Sequence, residues 1–159
     1  MDAVNTLSVV YTAEPESVPR ARKAVRDFAL AAGADPQQLD AVRLASTEAV
    51  TNAVIHAYRG EPGKVFVTAA VVSDELWVLI ADEGCGMQPR ADRPGLGVGL
   101  GLISQVSDEL AVVPRAGGGT EVRIRFRLRN ELRTRRHMTT NGAARGARTD
   151  RSYRRQSLV

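Results

Sequence analysis

The sequence has little cysteine, histidine or aromatic side chain, and each shortage excludes a class of protein. Its 159 residues include one cysteine, Cys85, so no internal disulfide can form. The cysteine and the two histidines do not have the spacing of a zinc site. The first residues also lack the basic segment and apolar run of a secretory signal. We therefore expect a reduced, cytoplasmic protein without a structural metal.

Long apolar runs are missing as well. The strand-like run from Leu76 to Ala81 is short and is followed directly by acids, whereas a bilayer span needs roughly 20 apolar residues. With 43% apolar residues, the chain can still bury enough surface to hold one core. The sequence predicts a single folded domain that does not cross a membrane.

Acidic residues are scarce at the carboxyl end, where the positive charge collects. Residues 129–159 contain nine arginines and two acids, a net charge of +7, so the overall charge of +4 leaves residues 1–128 at −3. This end also has too little apolar surface to offset the entropy of ordering it. We predict a folded domain over residues 1–128 and an Arg-rich, disordered tail over residues 129–159. Nucleic acid is expected to bind at most nonspecifically, through the tail.

The order of predicted elements indicates an α/β protein of the α+β kind. It is strand, two helices, a β-hairpin, a helix and two more strands, which predicts a two-layer sandwich with helices on one face of a mostly antiparallel sheet. In the last strand, four apolar residues alternate with arginines, so the arginine row is expected to face water. The predicted bounds are 7–12, 15–32, 35–58, 64–72, 75–81, 97–106, 108–113 and 120–129.

The second predicted helix carries a line of polar side chains. Glu48, Asn52 and His56 are four residues apart and therefore project along one side. Asn52 could offer its carbonyl oxygen to Mg²⁺, a cation that prefers oxygen ligands shared with substrate phosphates. Glu48, one turn earlier, could polarise an attacking hydroxyl or water. An ordinary solvated helix face is the alternative for this segment taken alone.

Two glycine-containing segments follow buried-looking strands. Asp82 emerges at a strand end, where its carboxylate could accept a hydrogen bond from the adenine amino group, and Gly84 and Gly86 would let the backbone approach the base. Near the end of the chain, residues 117–120 join two strands, and the Thr120 hydroxyl could contact the base through water. A plain turn explains the Asp82 segment equally well by itself, and residues 117–120, taken alone, are mostly a turn.

A third glycine run begins the helix predicted over residues 97–106. Gly97, Gly99 and Gly101 would expose backbone N–H groups to an anion, so phosphates are expected there. The spacing fits neither a dinucleotide-binding fingerprint nor a P-loop, and a flexible hinge remains the alternative.

Taken in order, the four segments resemble the N, G1, G2 and G3 boxes of the GHKL ATPases. The resemblance covers about residues 7–128. The sequence of residues 48–58 is most similar to the corresponding segment of the anti-sigma-factor serine kinases of bacterial partner-switching systems. It implies the Bergerat ATP-binding fold, ATP and Mg²⁺ as cofactors, Asn52 as the Mg²⁺ ligand, Asp82 as the adenine anchor and Glu48 as the catalytic base. The implied partners are an anti-anti-sigma protein, phosphorylated on a serine, and a sigma factor, with a homodimer as the assembly.

The loop between the second and third boxes would act as a lid over the nucleotide. Its only cations are Arg90 and Arg93, and either could reach the γ-phosphate. His56 is interpreted as a structural helix residue, because a histidine kinase carries its phosphoacceptor on a separate dimerisation helix that this chain lacks. Two functions stay open: a regulatory serine kinase, and an ATP-sensing module that sequesters a partner without phosphorylating it.

Overall fold

The protein is represented by a computed structural model that describes residues 6–86 and 96–129. Within these ranges no helix is long and apolar enough to span a bilayer.

Asp35 begins the second helix with a capping box, in which its carboxylate accepts from the Gln38 amide at 2.8 Å and its own amide donates to the Gln38 side chain. The elements are β1 Thr6–Thr12, α1 Ser17–Ala31, α2 Pro36–Asn52, a π-helical turn Ala53–Ala57, β2 Lys64–Val72, β3 Glu75–Asp82, α3 Leu96–Val106, β4 Glu109–Pro114 and β5 Thr120–Arg127.

The described strands form one antiparallel sheet in the order β1-β2-β3-β5-β4. The three helices cover one face, and α2 packs against both α1 and α3. This confirms the predicted two-layer α+β sandwich. The predicted domain boundary after residue 128 stays a prediction, because residues 130–159 lie outside the described ranges.

The core lies between the helices and the covered face of the sheet. Strand β5 shows why: Val122, Ile124 and Phe126 are buried, and the residues between them point to the other face. The largest fully buried side chains are Leu76, Ile80, Ile103, Ile124, Val25, Val42, Val50, Val65, Val67 and Val78.

Two sequence predictions were wrong in part. The helix expected to continue to Tyr58 ends as an α-helix at Asn52, and its last turn is π-helical. The arginine row does not uniformly face water: Arg125 is only 22% exposed because it pairs with Glu75 and Glu109 and lies over the Trp77 ring, 5.8 Å from its centroid. Local periodicity does not encode the burial of Arg125, since that depends on partners from the neighbouring strands.

Candidate functional site

The carboxyl-terminal half of α2 brings Glu48 and Asn52 to the side that faces α3. Asn52 is only 7% exposed, and Glu48 is partly exposed. A Cβ added at Gly99 would lie 2.8 Å from Oε2 of Glu48 and 3.4 Å from Nδ2 of Asn52. The second glycine of the run on α3 is therefore in direct contact with both side chains, which places two of the predicted site residues and one predicted glycine together.

The Asn52 side chain has binding capacity that the protein does not use. Its Nδ2 atom is buried and has no hydrogen-bond partner among the described residues. A buried polar group left unpaired costs free energy, so such groups in folded proteins usually meet a ligand, an ion or water. Within residues 6–86 and 96–129, no group of three His, Cys, Asp or Glu side chains could hold a metal. The amide oxygen of Asn52 fits Mg²⁺ shared with phosphates, since Mg²⁺ takes oxygen ligands and commonly only one or two from the protein, and the unpaired Nδ2 could donate to a phosphate oxygen.

Asp82 ends β3, and its carboxylate is fixed by backbone amides. Oδ1 accepts hydrogen bonds from the N–H groups of Gly84 at 3.0 Å and Thr120 at 3.2 Å. In the described part of the chain both bonds go to Oδ1, so Oδ2 can accept a hydrogen bond from a ligand. Burial raises the pKa of Asp82, opposed by the two amide bonds and by the charge of Arg115.

The glycines around Asp82 are required by contacts within the protein. A Cβ added at Gly84 would lie 2.1 Å from the carbonyl oxygen of Ala57, and one added at Gly119 would lie 2.0 Å from the carbonyl oxygen of Asp82. Gly86 has a φ of +77°, a region that only glycine adopts readily. The loop after β3 thus packs between two parts of the fold. One is the end of the helix formed by α2 and its π-helical turn, called here the N-box helix, and the other is the turn that joins β4 to β5.

Substituting Gly119 by alanine is expected to destabilise the fold by about 3–5 kcal/mol, because overpacking against the Asp82 carbonyl adds to backbone strain. Gly117 is a matched control. Its φ of +93° equals the +92° of Gly119 within a degree, but an added Cβ would meet nothing within 4 Å. Gly117→Ala should therefore cost only about 1–2 kcal/mol, the strain alone. Urea unfolding measures both, and equal losses would contradict the role assigned to the close contact.

The three glycines on α3 differ in their surroundings. Gly99 contacts Glu48 and Asn52, whereas a Cβ added at Gly97 or Gly101 would have no atom within 4 Å. Their phosphate-binding role stays a prediction. The predicted lid cations, Arg90 and Arg93, lie outside the described residues. Thr120, the remaining candidate, is buried beside Asp82 and donates its backbone N–H there.

Sequence reasoning missed two residues at this site. Arg115 donates from Nη1 to the backbone carbonyl of Asp82 at 2.9 Å, and its guanidinium lies 5.3 Å from the centroid of the Phe66 ring. Tyr58 accepts a hydrogen bond from the amide of Glu83 at 2.8 Å. The only available signal was position: Arg115 lies two residues before Gly117, and Tyr58 is the last residue of the segment that resembles the N box.

Comparison with known proteins identifies the family. Residues 11–126 match the family described as Histidine kinase-like ATPase domain. The anti-sigma F factor of Clostridium acetobutylicum is 31% identical over 74% of this chain and 90% of its own length, and that of Shouchella clausii is 29% identical over 78% and 93%.

A solved structure shares the fold. The structure of the RsbU and RsbW domains of Rv1364c from Mycobacterium tuberculosis superposes with a TM-score of 0.61 at 23% identity. The match covers 78% of this chain and 32% of that chain. These findings confirm the resemblance to the GHKL ATPases carried by the four boxes: the chain belongs to the histidine kinase-like ATPase domain family, whose name implies ATP binding.

Proposed function

We propose that this protein is an anti-sigma factor that binds ATP with Mg²⁺ and phosphorylates a serine of an anti-anti-sigma protein. The observation that carries the proposal is the contact of Glu48 and Asn52 with Gly99, because it places a carboxylate and an amide against the glycine run. The similarity to anti-sigma F factors supports the choice of partners. The homodimer implied by the resemblance stays a prediction.

Asp82 would select the base. Its Oδ1 is held by two backbone amides, which leaves Oδ2 to accept from the amino group of adenine. Guanine would present a carbonyl oxygen at the same place, so two acceptors would oppose each other, and a site built on one polar contact discriminates strongly against such a partner. Gly84, Gly86 and Thr120 would complete this end of the site.

Asn52 would hold Mg²⁺, and Gly97, Gly99 and Gly101 would offer backbone N–H groups to the phosphates. When bound, Mg²⁺ would neutralise charge that develops on the phosphate oxygens during transfer. Arg90 or Arg93 would add a positive charge at the γ-phosphate. A Cβ added at Gly99 would meet both Glu48 and Asn52, so the metal and the base would act on the same phosphate.

Glu48 would act as the general base. Its carboxylate would take the proton of the serine hydroxyl as the serine oxygen bonds to the γ-phosphorus, while the bond to the bridging oxygen breaks and ADP leaves. Phosphoryl transfer depends mainly on positioning and charge stabilisation, so one base and one metal suffice. An Asp82-bound adenine and an Asn52-bound metal would together fix the nucleotide for this step.

Incubation of the purified chain with radiolabelled ATP and a candidate anti-anti-sigma protein tests the proposal. We expect phosphoserine on the anti-anti-sigma protein, with binding of the sigma factor measured in parallel by pull-down. ATP-dependent complex formation without phosphoprotein would contradict kinase activity and favour the ATP-sensing module.

Substituting Asn52 by alanine is expected to weaken Mg²⁺-dependent ATP binding by at least about 10-fold, since even groups that only support a metal ligand have effects of this size. The nucleotide-free protein should lose no more than about 1 kcal/mol of unfolding free energy, because the change also removes an unpaired buried nitrogen. Calorimetric titration and urea unfolding measure the two effects.

Gln38→Ala is the matched control on the same helix. This buried amide is fully used: it donates to the Arg127 carbonyl at 2.6 Å and accepts from the Asp35 amide at 3.2 Å. Its removal should destabilise the protein by about 1–3 kcal/mol and leave ATP affinity unchanged. If Asn52→Ala behaved like Gln38→Ala in both measurements, Asn52 would be a structural amide.

A further inference from the structure

The peptide bond that joins Asp82 to Glu83 is held at both ends. Its carbonyl oxygen accepts from Nη1 of Arg115 at 2.9 Å, and its N–H donates to the Tyr58 hydroxyl at 2.8 Å. The two holding residues come from different parts of the fold: Tyr58 follows the N-box helix, and Arg115 follows β4. The orientation of this peptide is thus set by side chains that lie outside the loop.

The Tyr58 side chain is itself firmly placed. Its hydroxyl donates to the carbonyl of Lys64, the first residue of β2. Its ring lies over Gly63, where an added Cβ would come within 2.3 Å of ring atoms. The preceding residue, Ala57, accepts a hydrogen bond from the amide of Cys85 at 2.8 Å. The end of the N-box helix therefore contacts the loop on both sides of Gly84.

A rotation of the Asp82–Glu83 peptide would move the Gly84 and Thr120 amides, the two groups that aim the Asp82 carboxylate. The Gly84 amide is only one residue further along the chain, and Gly119, the residue before Thr120, is packed directly against the Asp82 carbonyl. Hydrogen bonds depend steeply on angle, so a small displacement of either group would redirect Oδ2. Holding the peptide is therefore a way of holding the carboxylate.

We propose that Tyr58 and Arg115 are positioning residues that hold the Asp82–Glu83 peptide and thereby set the selectivity of the site for adenine nucleotides. The proposal rests on the proposed function, in which Asp82 binds adenine. Both side chains act through the loop: Tyr58 ties it to the end of the helix that carries Asn52, and Arg115 ties it to the β4–β5 turn, which directly precedes Thr120. The base end and the phosphate end of the nucleotide site are thus held in a fixed position relative to each other.

The test is calorimetric titration of the full chain with ATP and with GTP in the presence of Mg²⁺. Tyr58→Phe removes only the hydroxyl and keeps the ring over Gly63. We expect ATP to bind about 3- to 10-fold more weakly, the effect of one lost hydrogen bond, with a smaller loss for GTP and therefore reduced selectivity. Arg115→Met, which keeps a long side chain but removes the donors, should reduce selectivity in the same direction.

Tyr11→Phe is the control. Tyr11 lies on β1, is also partly buried, and its hydroxyl has no recorded hydrogen bond within residues 6–86 and 96–129. It should keep the ATP and GTP affinities of the parent. A purely structural role for Tyr58 would lower the unfolding temperature and weaken both nucleotides equally, whereas a positioning role changes their ratio.

The outcomes separate the two proposals. A parent chain that does not prefer ATP to GTP overturns the proposed function and this inference with it. A parent that prefers ATP, with a Tyr58→Phe chain that prefers it equally, overturns this inference alone. If Tyr58→Phe unfolds too readily to be titrated, Arg115→Met decides, and parental selectivity in that variant overturns the proposal.

Discussion

Replacing Glu48 by glutamine is expected to lower the rate of phosphoryl transfer to the anti-anti-sigma protein by about 10²- to 10⁴-fold, the usual contribution of a general base. Glutamine has nearly the same shape but cannot take the proton of the serine hydroxyl. The contact with Gly99 should persist, so ATP affinity is expected to change little. Single-turnover transfer from radiolabelled ATP measures the rate, and calorimetric titration measures the affinity.

Asp40→Asn is the control for charge removal on the same helix. Asp40 lies two turns before Glu48, and its side chain is 75% exposed. Its loss should leave both the rate and the affinity unchanged. A Glu48→Gln chain that transferred phosphate as fast as the parent would show that Glu48 is not the base. The ATP-sensing interpretation would then remain for this chain.

Replacing Asp82 by asparagine is expected to weaken ATP binding by about 10²- to 10⁴-fold, because a donor would face the adenine amino group. Asparagine can still accept the Gly84 and Thr120 amides through its carbonyl oxygen, so the loop should keep its shape. Its free N–H₂ group would suit the carbonyl of guanine, and the preference for ATP over GTP should fall or reverse. Titration with both nucleotides measures the change.

Glu61→Gln makes the same change of charge at an exposed residue in the segment before β2, which has no ion pair within residues 6–86 and 96–129, and should leave the preference intact. If Asp82→Asn bound ATP as tightly as the parent, Asp82 would not contact the base. The same outcome would remove the basis for Tyr58 and Arg115 as determinants of selectivity. Asp82→Asn, Tyr58→Phe and Arg115→Met therefore test the same contact with adenine.

The difference in stability between the nucleotide-free parent and the Asp82→Asn protein should depend on pH in a defined direction. Burial raises the pKa of Asp82 above its ordinary value of 3.8, so the folded protein binds a proton there more tightly than the unfolded chain does. This contribution to stability is fully present below pH 3.8 and is lost as the pH rises through the folded pKa. At pH 7 the neutral asparagine should therefore be more stable than the aspartate, and the difference should shrink on acidification.

Local sequence determined most of the secondary structure and which residues are candidates for the site. Alternation of apolar residues predicted β5, and the strands predicted over residues 64–72 and 75–81 form the β2–β3 hairpin at that place. The four-residue step between Glu48 and Asn52 predicted that they share one helix side. These features follow from the helix and strand periods, which act over a few neighbouring residues.

Only the tertiary structure decided how the parts of the site meet. The antiparallel register of β3 with β5 pairs Ala81 with Glu121 and so brings the Thr120 amide to the Asp82 carboxylate, 38 residues away in sequence. The packing of α3 on α2 selected Gly99, rather than Gly97 or Gly101, as the glycine that contacts Glu48.

The hold on the Asp82–Glu83 peptide is likewise a property of the folded chain. Tyr58 and Arg115 are far apart in sequence, and nothing local to either one indicates a common partner. Such contacts depend on strand order, on register and on where a helix ends. A periodic pattern records which face of an element is buried, but it does not record which residue lies opposite, so the sequence alone determined the boxes and the fold determined their geometry.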